Sequence, residues 1–167
     1  MTTYEQELIL RLAHEDISPE EFLNLFRNSN DGVALAGELL DEAIASRNGV
    51  DVEMALLVGF TFGFKDEHIP SLSRLAAEDW HERHEDVVGA LSSLRSLKTV
   101  DALFHATQWI PPYLTFDKSR ALAVKAIWAL GNLDGIKAEG RLRQLAETNA
   151  IPLLRNEAQR QLSRRKT

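Results

Sequence analysis

This 167-residue sequence predicts an all-α fold, a right-handed α-solenoid of helical hairpins behind a helical N-terminal cap. Three observations carry that expectation. Apolar residues recur three and four apart in nearly every segment, the period of a helix with one buried face, and no segment alternates as a half-buried strand does. The triplet Ile69, Leu72 and Leu75 returns as Val100, Leu103 and Ala106, then loosely as Glu139, Leu142 and Leu145, at offsets of 31 and 39 residues. A second triplet, Val87, Leu91 and Leu94, returns as Ala126, Leu130 and Leu133, then as Ala158, Leu162 and Arg165, at offsets of 39 and 32. Two amphipathic helices joined by a short connector form such a unit, and stacked units present a long groove rather than a closed cavity.

The elements follow in chain order. Tyr4, Leu8 and Leu12 mark a first helix. Ser18-Pro19-Glu20-Glu21 opens a second, with serine as the N-cap, proline at the first helical position and glutamate three residues after the cap. Asp31 can cap a third helix through Leu35, Leu39, Leu40 and Ile44, and Asn48-Gly49 carries the glycine signal of a helix end. A fourth helix, from about 52 to 64, is apolar nearly all round and should be enclosed; Gly59 and Gly63 within it suit close packing. Outer helices are expected near 67–78, 98–109 and 135–148, with inner partners near 83–96, 118–132 and 152–165. Gly131-Asn132 and Thr148-Asn149 read as helix ends. Trp109-Ile110-Pro111-Pro112-Tyr113-Leu114 cannot continue a helix through two prolines, so it should cross the surface in extended form and account for the 39-residue offset. No linker divides the chain: a single domain over 1–167 is expected, with 1–50 as cap and 51–167 as repeats.

Composition narrows the classes of function. The chain is 44% hydrophobic and 26% charged, as a water-soluble protein is, and it has no cysteine for a disulfide or thiolate metal site. Its N-terminus carries Glu5, Glu7 and Arg11 among apolar residues, unlike a signal peptide, and the longest apolar run, 54–64, is shorter than the ~20 residues of a bilayer span. A cytoplasmic protein without membrane attachment is expected. Residues 1–100 hold 19 acids and 8 bases, whereas residues 101–167 hold 6 acids and 11 bases. The acidic half repels phosphate backbones and attracts basic partners, which disfavours nucleic acid. Arg155, Arg160, Arg164, Arg165 and Lys166 read as the solvated end of the last helix.

Candidate contact residues concentrate in one segment. Glu78, Asp79, Trp80, His81, Glu82, His84, Glu85 and Asp86 fall within nine positions, with Arg83 the sole counter-charge, at a hairpin turn and the following helix start. The helix dipole alone favours acids there, by about 0.3–1 kcal/mol each. It does not account for a tryptophan beside two histidines; an aromatic ringed by charge has the composition of a protein-binding hot spot. Trp109, Tyr113, Phe116 and Asp117 form a second area, in which Asp117 can cap the next helix and Tyr113 and Phe116 can cover the core. Successive inner helices line one wall, so the starts at His84 and Asp117 should be neighbours. Arg120 is then a partner for Asp86, Lys125 snorkels outward or approaches Glu85, and Trp128 belongs to the core. His81 and His84 with a carboxylate could hold zinc, though no zinc motif is present. Neither a nucleophile elbow nor a phosphate loop occurs. No catalytic residue, cofactor or metal is expected.

Arg120-Ala121-Leu122-Ala123-Val124-Lys125-Ala126-Ile127-Trp128-Ala129-Leu130-Gly131 resembles the second helix of a short, lyase-like HEAT repeat. Ile69-Pro70-Ser71-Leu72 resembles the opening of a first helix, and His84 to Leu91 another second helix; the resemblance covers roughly 52–165. His84-Glu85 is also similar to the His-Glu pairs of HEAT-type deoxyhypusine hydroxylases. That family needs several such pairs, whereas the equivalent starts here carry Ser119-Arg120 and Asn156-Glu157. Trp80 to Asp86, then Thr99 to Leu103, Tyr113-Leu114 and Asp117 resemble small bacterial HEAT-like proteins, some of them immunity proteins of contact-dependent growth inhibition and other polymorphic toxin systems. The resemblance implies a protein that binds a toxin domain and blocks it. The acidic, aromatic-dotted face makes a basic toxin, such as a nuclease, the expected partner, occluded at its active or substrate-binding surface with no chemistry by this chain. A HEAT-like scaffold for another protein, or a metal-dependent enzyme or lyase subunit, are the alternatives.

Overall fold

The computed structural model describes residues 1–165 and contains ten α-helices and no strand among them. The helices are α1 (Thr3–Ala13), α2 (Pro19–Leu25), α3 (Gly32–Ser46), α4 (Gly49–Phe62), α5 (Ile69–Leu75), α6 (His84–Ser93), α7 (Val100–Gln108), α8 (Ala121–Gly131), α9 (Ile136–Thr148) and α10 (Pro152–Arg164). Short 3₁₀ turns lead into α5 and α7, and a third covers Pro112–Leu114 in the proline connector. None of the described helices is long and apolar enough to cross a membrane.

Local chemistry sets the boundaries. Thr2 accepts the Glu5 amide while the Glu5 carboxylate accepts the Thr2 amide, a capping box for α1. Ser18 caps α2 through the Glu21 amide, and Asp31 caps α3 through the Val33 and Ala34 amides. The Asn48-Gly49 reading is corrected. Arg47, left-handed at φ 50°, ends α3, and the Asn48 side chain accepts the Val50 and Asp51 amides as N-cap of α4. Gly49 is thus the first residue of a helix, not the end of one. Gly63 is likewise outside α4: at φ 93° it turns the chain so that the Phe64 ring folds back over Gly59, where a Cβ would collide with it.

Helix α8 starts three residues later than the periodicity predicts. Asp117 accepts hydrogen bonds from the Ser119 and Ala121 amides and the Ser119 hydroxyl, clasping a turn that Arg120 closes at φ 54°. The acid caps α8 as expected, but across this turn. At the other end, Arg155 donates to the carbonyls of Asn149 and Ala150, and Arg165 to those of Leu130, Gly131 and Leu133. These two arginines therefore satisfy orphan carbonyls at the ends of α9 and α8 rather than forming a solvated patch. Arg160 faces Glu157, and Lys166 lies outside the described residues.

Packing follows the sequence blocks. Helix α3 lies against α4, α5 against α6, α7 against α8 and α9 against α10; α4, α6, α8 and α10 also touch in succession, as do α3 with α5 and α7 with α9. Helix α1 rests on α4 and α2. The expected division after residue 50 falls within the first turn of α4, a helix packed extensively against α3. One apolar cluster runs from Leu8 to Leu162 and includes Leu72, Val87, Leu91, Val100, Leu103, Ala126, Leu130, Leu142 and Leu145, which carry the repeated spacing. Trp128 is a correction. Expected in the core, it is 50% exposed, with its indole N–H donating to the buried Glu157 carboxylate at 2.6 Å.

Candidate protein-binding site

The α5–α6 connector, 76–83, is short and must turn sharply, so its own side chains hold it. His81 is 2% exposed; its Nδ1 accepts the Arg83 amide at 3.1 Å, which leaves the proton on Nε2 to be donated to the Leu75 carbonyl at 2.8 Å. His84, the first residue of α6, is 1% exposed and donates from Nε2 to the Glu78 carbonyl at 2.7 Å, leaving Nδ1 to accept the Tyr113 hydroxyl at 3.3 Å. The Arg83 amide thus requires a neutral His81, burial favours a neutral His84, and every ring nitrogen is taken by a protein group. Zinc would have to displace one of these bonds at each ring.

An aromatic row runs through this pair. Trp80 meets His81 edge-on at 5.2 Å, His81 stacks on His84 at 4.2 Å, and His84 contacts Trp109 at 5.1 Å and Tyr113 at 5.6 Å. His105 of α7 stacks on Trp109 at 5.8 Å. The proline connector therefore folds back onto the start of α6, and its two aromatics form a floor. Burial holds the His84 imidazole well below its usual range, at about 4, and lowers His81 as well. Burial raises the Tyr113 phenol, and the nearby charges of Glu85, Glu82 and Asp86 push it the same way.

The acids divide into held and solvent-facing groups. Glu78 accepts the Trp80 indole N–H at 2.7 Å and Arg74 at 3.2 Å, and these bonds depress its carboxyl, the indole bond most. Arg47 pairs with Glu78 and Asp79 and lies 5.6 Å over the Trp80 ring. Arg83 bridges Glu53 of α4 and Asp86 of α6, so Asp86 finds its cation there and not in Arg120. Lys125 makes no ion pair with Glu85 among the described residues. Glu82 is exposed and Glu85 half-buried in the first turn of α6. Phe116 is 80% exposed, beyond the aromatic row, while Arg120 turns toward a separate cleft with Phe104, Gln108 and Thr148.

One part of the site is invisible to sequence periodicity. An open concavity of about 440 Å³ lies beside Trp80, lined also by Asn48, Gly49, Val50, Glu53, Glu82 and Arg83. There the start of α4 lies against the connector: a Cβ at Gly49 would sit in ordinary contact with the His81 Cα at 3.5 Å. Its walls join an indole, the aliphatic Val50, the carboxylates of Glu53 and Glu82 and the Arg83 guanidinium, a mixed apolar and charged lining. No family model, curated protein or solved structure matches the chain.

Proposed function

We propose that this protein is a HEAT-like, right-handed α-solenoid that acts as an immunity protein, binding a basic toxin domain in the cytoplasm and neutralising it by occlusion. The two rows of contacts, α3–α5 with α7–α9 and α4–α6–α8–α10, support stacked helical hairpins. The observation that carries the functional reading is the one connector that joins the Trp80 concavity, the buried His81–His84 pair and, through His84, Tyr113, with Glu82, Glu85 and Asp86 at its end and at the start of α6. Rigid aromatics supply contact area at little entropic cost, and the acids speed encounter with a cationic partner. No chemistry is asked of the chain; the toxin loses access to its substrate.

Replacing Glu82, Glu85 and Asp86 together by lysine tests the reading. Partner binding should be abolished while circular dichroism retains the wild-type helicity, because all three side chains lie outside the core. Unchanged affinity would remove this face from consideration. A toxin domain encoded beside this chain, inactive in the presence of wild type and active in the presence of the triple variant, is the expected cellular counterpart.

A further inference from the structure

The histidine pair beneath this face has a property that partner binding does not require. The two rings lie 4.2 Å apart and 13° from parallel, and each ties a different point of the connector: His81 the end of α5 at Leu75, His84 the carbonyl of Glu78. His84 also fixes the Tyr113 hydroxyl of the proline connector. Protonation at His81 Nδ1 sets an N–H against the Arg83 N–H, and that backbone donor cannot turn away. A second proton, on His84, places two charges in stacked rings that are almost fully covered.

We infer that His81 and His84 form a proton-operated latch: when both imidazoles are charged, the 76–83 connector and the 109–117 segment come away together, opening the docking face while the other helices remain folded. The latch underlies the face proposed for the partner, but it needs no partner for its test, so the two stand or fall separately.

The surrounding charges can be weighed. Glu78 and Arg83 face the pair from the connector, Arg74 from α5, Arg47 from the end of α3, Glu53 from α4, Glu85 and Asp86 from α6, His105 from α7, and Tyr113 from the proline connector. Glu78 favours a charge on His81, and the Glu78 carbonyl favours one on His84, but burial outweighs both. His81 and His105, when charged, oppose a charge on His84 further. The arginines nearest the connector are engaged by Glu78, Asp79, Glu53 and Asp86, so His81 and His84, once opening exposes them, are the groups of the connector that take up protons between pH 7 and 5.

Amide hydrogen exchange by NMR on the full chain at pH 7, 6 and 5, corrected for intrinsic rates, is the test. An opening that exposes two ordinary imidazoles should become about 60-fold more frequent from pH 6 to pH 5, against about 8-fold for one. The Arg83, Glu78 and Leu114 amides should follow the larger factor, while Leu40 in α3 and Leu145 in α9 stay protected. In a His81→Gln/His84→Gln variant the dependence should vanish. Protection flat with pH, an 8-fold response, or acceleration shared equally by Leu40 and Leu145 would overturn the latch. If the double variant does not fold, the wild-type factor decides alone.

Discussion

At the scale of the residue, His84 shows how burial and hydrogen bonding together decide a side chain's role. Its neutral ring donates to the Glu78 carbonyl and accepts from Tyr113, and neither ring nitrogen is left for solvent. The sign of the pH effect follows. The folded state holds His84 at about 4, below the ordinary 6.5, so the unfolded chain binds the proton more readily. Stability should be full above pH 6.5 and fall as pH drops toward 4, by on the order of 3 kcal/mol for this group, with His81 adding in the same direction. Denaturant melts across that window check it; a flat profile from pH 7 to 5 would contradict it. Tyr113→Phe removes only the 3.3 Å bond and should cost about 1 kcal/mol or less in the same assay. Both histidines and the aromatics near them stand out in the sequence as a group. Their inward orientation does not, because the acceptors are backbone carbonyls of Leu75 and Glu78, which no side-chain pattern records.

Individual elements were legible where a side chain caps its own helix. Ser18, Asp31 and the Thr148-Asn149 end sit where local chemistry puts them. Asn48-Gly49 misled because the same dipeptide suits a helix end and a helix start, and only the left-handed Arg47 before it resolves which. Asn48→Ala should therefore destabilise by about 1 kcal/mol, and do so by loosening α4 and the Trp80 concavity rather than α3. Thermal melts give the size, and amide exchange at Val52 against Leu40 gives the place; loss confined to α3 would restore the other reading. Helix α8 was expected too early for a similar reason. Asp117 bonds a turn before the helix, so the cap and the first helical residue are separated. Trp128 escaped because an apolar run enclosed on both sides gives no hint which aromatic meets a carboxylate from the next helix.

Across the whole molecule, apolar residues spaced three and four apart meet in one core, which is why the all-helical class could be read before any contact was known. Leu91 and Leu130 are both fully buried at the α6–α8 contact, and either changed to Ala should cost about 2–5 kcal/mol by leaving a cavity between neighbouring pairs. The charge division, acidic over 1–100 and basic beyond, is likewise plain in the sequence. What the sequence could not supply is the concavity, whose lining comes from the start of α4 and from the connector about 30 residues further along the chain. The account's central claim is that partner capture occurs on the face of Trp80, Glu82 and Tyr113. Photo-crosslinking from a benzoylphenylalanine at position 82, with position 20 on the exposed start of α2 as the comparison, tests it most directly in living cells. The account predicts an adduct with one basic protein from position 82 and none from position 20. Adducts from position 20 alone, or none from position 82 under conditions where the protein is complexed, would contradict it.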